Sequence, residues 1–300
     1  MNRIMYKKYL VVCVVALLTA TQSFAQTLDY SNYDASHDSN YQDSTIIHLE
    51  IYGVAFNFIK VEGGFANLGP MGYSQIDTFW MMETEVTIPQ INFLLNETND
   101  YQLKTIQQHT YLVYDSLYRY AEYLDDDFPA LCPNYTSSVI TICEILNTIF
   151  PGFSFALPSP QQWIYAARGG KNSMHYYYSG SNNVNDVAWH TDNSYLRFLY
   201  ALGIRAKKLP HAVKQKMPNE LGLYDMCGNA SELVDANIFS YSFDKDCRDM
   251  GDCSTWMVSH RHNVCCGGDV LSNPEECLPT IFPHNPNYLS FRLIATPIRE

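Results

Sequence analysis

Residues 218–236 read PNELGLYDMCGNASELVDA, a tight loop with an acid at either end, Asp225 and Glu232, and small residues between them. Gly228 lets the backbone turn sharply there. The loop can offer the carboxylates of Asp225 and Glu232 and the carbonyls of Gly228 and Ala230, hard oxygen donors of the kind calcium takes. The acids are spaced too widely for an EF-hand loop. The same residues also fit a capped turn entering a short strand, with both acids in solvent.

Upstream, FNFIKVEGG (residues 56–64) alternates like a strand through Phe56, Phe58, Ile59 and Val61 and turns at Gly63-Gly64. A second strand is expected from Phe79 to Met82. A helix then starts with Thr87 as cap, Pro89 in the first turn and Gln90 reaching back, and buries Ile91, Leu94 and Leu95. TSSVITICEILNTIF (136–150) places Val139, Ile142, Cys143, Leu146 and Ile149 on one helical face. In LPSPQQWIYAARGG (157–170), Ser159 caps, Pro160 takes the first helical position, Gln162 completes the box, and Gly169-Gly170 ends the helix. The composition, with 23 Tyr and a second half punctuated by Gly, Pro and Asn, fits an irregular, loop-rich α+β fold.

The first 25 residues have a basic start (Arg3, Lys7, Lys8), a short apolar run and a small-x-small end at Ser23-Phe24-Ala25. They are expected to be a secretory signal peptide cut before Gln26; a lipid anchor on Cys13 would follow the large Val12. Export would leave the protein periplasmic, cell-surface or secreted. Residues 26–50 are read as a flexible polar leader and 51–300 as one domain. No later stretch is apolar enough to span a membrane. Loss of three basic residues and no acidic one takes the net charge from −12 to about −15, which disfavours nucleic acid and anionic membranes as partners. Eight cysteines remain once Cys13 is gone, and an exported chain with an even count is expected to form disulfides. Cys247 with Cys253, and Cys265 or Cys266 with Cys277, are close enough in sequence to pair.

Taken in order, FIKVEGGFANLG, FWMMETEVTIPQINFLL, LPSPQQWIYAARGG, AWHTDNS, VKQKMPNELGLYDMCGNASEL, CCGGDV and SFRLIAT resemble the formylglycine-generating enzyme family, also called the sulfatase-modifying factor domain. The resemblance runs from about residue 57 to 296. It implies a variant of the C-type lectin fold, with small antiparallel sheets, flanking helices and many loops. Residues near 100–127 and 195–210 are insertions relative to the short family pattern. Positions matching Asp225, Gly228, Ala230 and Glu232 ligate a structural calcium ion in the family, so calcium is the expected cofactor.

Active members of that family oxidise a target cysteine to formylglycine with oxygen and a copper(I) ion held by two cysteines. Those positions fall here at Ser272 and Cys277, so the pair is broken; a hydroxyl is a poor substitute for thiolate on Cu(I). The family's neighbouring serine falls at Asp269, its arginine at Cys266, and the tryptophan after the loop alanine at Ser231. The reading is an exported protein of this family without oxidase activity, with copper not expected and a structural or ligand-binding role toward a protein, peptide or glycan. The alternative is a copper-dependent oxidase with a rearranged site around Cys277. His260 and His262 read as surface histidines, and no G-x-S-x-G nucleophile elbow is present.

Overall fold

The computed structural model describes residues 45–51, 54–68, 72–98, 127–132, 136–195, 208–235, 264–282 and 286–298. Strands β1 (Ile46–Ile51), β2 (Val54–Val61), β3 (Gly64–Asn67), β4 (Tyr73–Ile76) and β5 (Phe79–Met82) come first. Helices α1 (Ile88–Thr98) and α2 (Thr136–Ile149), strand β6 (Phe153–Ala156), helix α3 (Pro160–Ala167) and a single helical turn α4 (Val184–Val187) follow. The remaining strands are β7 (Ser231–Leu233), β8 (Cys265–Cys266), β9 (Ile281–Phe282), β10 (Leu289–Phe291) and β11 (Ile294–Pro297). The architecture is α+β.

The larger sheet has the order β1-β2-β5-β11-β6, every neighbour antiparallel. Because successive side chains of a strand point to opposite faces, the sheet feeds two cores. Phe56, Phe58, Trp80, Met82, Phe155 and Ala295 enter one, where Ile91 and Leu94 of α1 and Val139, Ile142 and Leu146 of α2 cover them. Val61, Phe79, Met81 and Ile294 enter the other, against Trp163, Ile164, Ala166 and Ala167 of α3. All four residues of β5 are buried because helices cover both of its faces.

The expected leader is shorter than read. Ile46–Ile51 is β1, antiparallel to β2, with Ile47 and Leu49 buried in the first core. An apolar residue at every second position gave this segment one face to bury. The helix starts are formed as expected: Ser159 and Gln162 make a reciprocal capping box with Pro160 in the first turn, and Gln90 accepts a hydrogen bond from the Thr87 N–H at 2.9 Å. The insertion near 100–127 falls outside the described residues except Asp127, and that near 195–210 is described only at its two ends.

The second sheet, β10-β7-β8-β9, places the site. β7 lies between β10, which runs parallel to it, and β8, which runs antiparallel. In this register Glu232 is opposite both Ser290 and Cys266. Arg292 follows β10 directly, so one short strand brings the end of residues 225–232 beside the closing SFRLIAT segment.

Candidate functional site

The backbone from Asp225 to Asn229 is bent left-handed at three positions, with φ of 56° at Asp225, 69° at Gly228 and 59° at Asn229. At Gly228 a Cβ would stand 2.1 Å from the Trp189 carbonyl oxygen, so only glycine fits. Its N–H donates to Gly267 O at 2.7 Å, and the Asn229 N–H donates to Trp189 O at 2.9 Å. The Asn229 side chain accepts from the His211 N–H at 2.8 Å and donates to Glu85 Oε1 at 3.1 Å. The turn is thus fixed from three directions before any side chain of the acids is considered.

The two acids at its ends are not in solvent. Asp225 is 3% exposed and Glu232 1%, which removes the solvated-turn alternative. Glu232 forms a bidentate ion pair with Arg292, Nε to Oε2 and Nη2 to Oε1, both at 2.6 Å. Trp163 Nε1 donates to the same Oε2 at 2.8 Å. Arg292, fully buried, spends its other N–H groups on the carbonyls of Met82 and Tyr224, at 3.2 and 2.9 Å. Asp225 accepts from the Lys214 N–H at 2.9 Å.

A third buried carboxylate, Glu85, completes the cluster. One oxygen takes the Asn229 bond; the other, Oε2, is buried with no hydrogen-bond partner. Burial, then the charges of Asp225 and Glu232, push Glu85 well above the usual carboxylate range, against the pull of Arg292. Burial likewise pushes Asp225 up to about 6, more than the Lys214 N–H and Arg292 can offset. Burial disfavours the charged form of Arg292, but Glu232, with Glu85 and Asp225 behind it, outweighs this and holds its pKa above the usual value. Three buried carboxyl groups share one buried guanidinium, so the site is short of positive charge unless Glu85 keeps a proton, as its raised pKa favours.

That shortage is what a divalent cation would meet. Asp225, Gly228, Ala230 and Glu232 follow one another along one loop and the strand after it, and as carboxylates and carbonyls they are donors of the kind calcium takes. A carboxylate has about four lone-pair sites. Arg292 and Trp163 take three of those on Glu232, so one, on Oε1, is left for a metal. Among the described residues no group of three or more His, Cys, Asp or Glu side chains is arranged as a metal cage. Calcium here would therefore lean on main-chain oxygens.

The positions matching the copper cysteines lie next to this loop. The Ser272 hydroxyl accepts from the Asp269 N–H at 3.0 Å, closing a tight turn. Asp269 is itself committed: its carboxylate accepts from the N–H groups of Leu271, Asn287 and Tyr288 at 2.8, 2.8 and 3.0 Å. Cys277 ends a 3-10 turn (Pro274–Glu276) and its Sγ donates to Asn273 O at 3.5 Å. Cys277 is fully buried, and that burial raises its thiol pKa far above the ordinary value. A bonded hydroxyl and a buried, protonated thiol do not fit Cu(I), which takes soft thiolates.

The expected pairing of Cys277 with Cys265 or Cys266 is not shown among the described residues. Among the described residues, Cys132, Cys143, Cys227, Cys266 and Cys277 carry no disulfide. Cys265 and Cys266 lie in β8 and face the first and second core, whereas Cys277 belongs to a third, smaller cluster. Nearness in sequence is a weak guide here because the Gly267-Gly268 turn carries the chain away from β8, both glycines having positive φ. Cys247, Cys253, His260 and His262 lie outside the described residues. Glu85, Trp163 and Arg292 are site residues beyond those the loop supplies. The signal for Arg292 was present, since an arginine inside the apolar SFRLIAT calls for a buried acid.

Comparison with known proteins agrees with these landmarks. A family model described as sulfatase-modifying factor enzyme 1-like domain matches residues 54–288. Over 83 residues the chain is 39% identical to Chaperone protein LppX of Paenibacillus barcinonensis, covering 26% of this chain and 30% of that protein. The chain thus spans less than a third of that relative's length. Among solved structures, Treponema denticola variable protein 1 aligns with a TM-score of 0.56 at 17% identity, covering 85% of this chain and all of that one. PvdO from Pseudomonas aeruginosa aligns at 0.51 and 15%, covering 81% and 94%, and CarF at 0.50 and 18%, covering 81% and 98%. At these identities the structures share the fold.

Proposed function

We propose, for a chain that belongs to the family of sulfatase-modifying factor enzyme 1-like domains, an exported protein that holds a structural calcium ion, lacks copper oxidase chemistry and serves a structural or ligand-binding role. The observation that carries the loss of chemistry is at Ser272 and Cys277, where a hydrogen-bonded hydroxyl and a buried thiol stand in place of two accessible thiolates. Calcium is supported by the charge balance, with Glu85, Asp225 and Glu232 facing Arg292. Asp225, the carbonyls of Gly228 and Ala230, and the remaining site on Glu232 would hold it.

A binding role is supported by the surface. Met174, Tyr176, Tyr177 and Met217 are exposed; the Met174 N–H donates to the Glu220 carboxylate and the Met217 N–H to Asp186 O. Amphipathic aromatics of this kind suit peptide or glycan contact. The name of the relative matched over 83 residues, a chaperone protein, is in keeping with a binding role. Export is supported by the N-terminal signal pattern, and among the described residues no helix is long and apolar enough to cross a membrane.

The test is an aldehyde assay. The purified exported protein is supplied with Cu(I), oxygen and a cysteine-containing peptide, and the peptide is followed by mass spectrometry. No conversion to formylglycine is expected. Catalytic turnover of the peptide would show that the oxidase alternative around Cys277 is right.

A further inference from the structure

Beside the loop lies a third buried cluster, set apart from the two main cores. Tyr178, Val184, Val187 and Ala188 enclose two sulfur atoms, those of Cys227 and Cys277. Backbone geometry brings the two cysteines there. Gly228, which follows Cys227, donates its N–H to Gly267 O at 2.7 Å. The next glycine, Gly268, packs so closely on Glu276, which precedes Cys277, that a Cβ would meet Glu276 O at 2.6 Å. One glycine pair therefore touches the chain immediately beside each cysteine. Each thiol has only weak polar company: Cys227 Sγ accepts from the Ser179 N–H at 3.3 Å, and Cys277 Sγ bonds Asn273 O. Of the ionisable neighbours of Cys277, Cys227 acts on it most strongly. The other described cysteines face the two main cores.

We infer that Cys227 and Cys277 are a disulfide pair, joined in the exported protein. The bond would tie the Asp225–Glu232 loop to the segment matching the copper site, closing a loop of about fifty residues, long enough for a cross-link to constrain the unfolded chain strongly. In forming it, the two thiols lose two protons and two electrons and one Sγ–Sγ bond is made. A disulfide of the thiol–disulfide exchange class accepts the electrons, taking up two protons to become a dithiol. In the folded chain both sulfurs lie buried inside the closed cluster. Exchange therefore occurs while the loop is still open, before Val184, Val187 and Ala188 close over the sulfurs. The joined pair has no thiolate left for copper, which is independent of whether calcium is bound.

The experiment is disulfide mapping of the full exported protein, denatured and alkylated without reduction. Trypsin with glutamyl endopeptidase cuts after Glu276 and separates Cys277 from Cys265 and Cys266. A linked Cys227–Cys277 peptide that disappears on reduction is expected in most of the protein. Alkylated Cys227 and Cys277, or Cys277 joined to a different cysteine, would overturn the inference. A second arm reads the Cys277→Ala variant, in which Cys227 alkylation without reduction should rise from a small fraction to nearly all of the chain. Cys227 remaining blocked in that variant would equally overturn it.

Discussion

At Arg292 a single guanidinium, 0% exposed, answers for three buried carboxylates. Removing one partner of such a buried pair leaves the other charge uncompensated. Arg292→Ala is therefore expected to lower stability by about 3–5 kcal/mol, read from urea unfolding. A loss below about 1 kcal/mol would mean that the pair is not buried as described. His211 carries the pH response. It stacks on Trp189, ring centroids 3.8 Å apart, and burial lowers its pKa from 6.5 to about 4. The unfolded chain takes up that proton below about 6.5 while the folded chain refuses it until about 4. The stability it provides is thus present above pH 6.5 and lost as pH falls toward 4. Asp225 runs the other way, its raised pKa giving stability that is lost as pH rises from about 4 to 6. Both proteins in the comparison with His211→Phe retain Asp225, so its effect cancels. Between pH 6.5 and 4 the wild type should lose up to ~3 kcal/mol more than the variant. Parallel slopes would show that His211 titrates normally.

At the scale of elements, the Gly267-Gly268 turn joins β8 to the segment containing Ser272 and Cys277. Gly268 has φ of 72° and no room for a Cβ against Glu276 O. Gly268→Ala should therefore cost more than the usual penalty for glycine replacement, about 2 kcal/mol or more, seen as a lowered urea midpoint. An unchanged midpoint would show that the turn can shift freely. Elements with strong local signals were legible in the sequence. The capping box at Ser159 and Gln162, the strand from Phe79 to Met82 and the helical face of Val139, Ile142 and Leu146 are all formed as read. Ile46–Ile51 was less legible because a polar stretch precedes it and its pairing with β2 comes from outside the segment. Cysteine spacing is a weak guide to pairing for a related reason. Spacing reports nearness along the chain, while the turn after β8 decides nearness in space.

For the whole molecule, the sheet brings Glu85, Asp225, Glu232 and Arg292 together from segments far apart in sequence. The two acids Asp225 and Glu232 stood out in the sequence because they end one local loop. Arg292 announces a buried acid from within an apolar segment but not which one, and Glu85 and Trp163 give no local signal, since the packing of two sheets and α3 is what joins them. If calcium fills the charge deficit, it binds the folded state alone and should stabilise it by about 2.7 kcal/mol at one hundred times its Kd. The melting temperature should then rise on adding calcium and fall with chelator, and Asp225→Ala should lose that response. Identical melting of the wild type with calcium and with chelator would remove the ion from the account.

The loss of the copper pair is the claim on which the proposed role depends, and a Cu(I) competition titration tests it most directly. The exported protein competes with a chromophoric Cu(I) chelator under anaerobic conditions, beside a Ser272→Cys variant. The wild type is expected to withdraw no copper, since Ser272 offers a hydroxyl and Cys277 a buried thiol. One equivalent of tightly held Cu(I) in the wild type, lost in Cys277→Ala, would contradict the account and return the protein to the oxidases of its family.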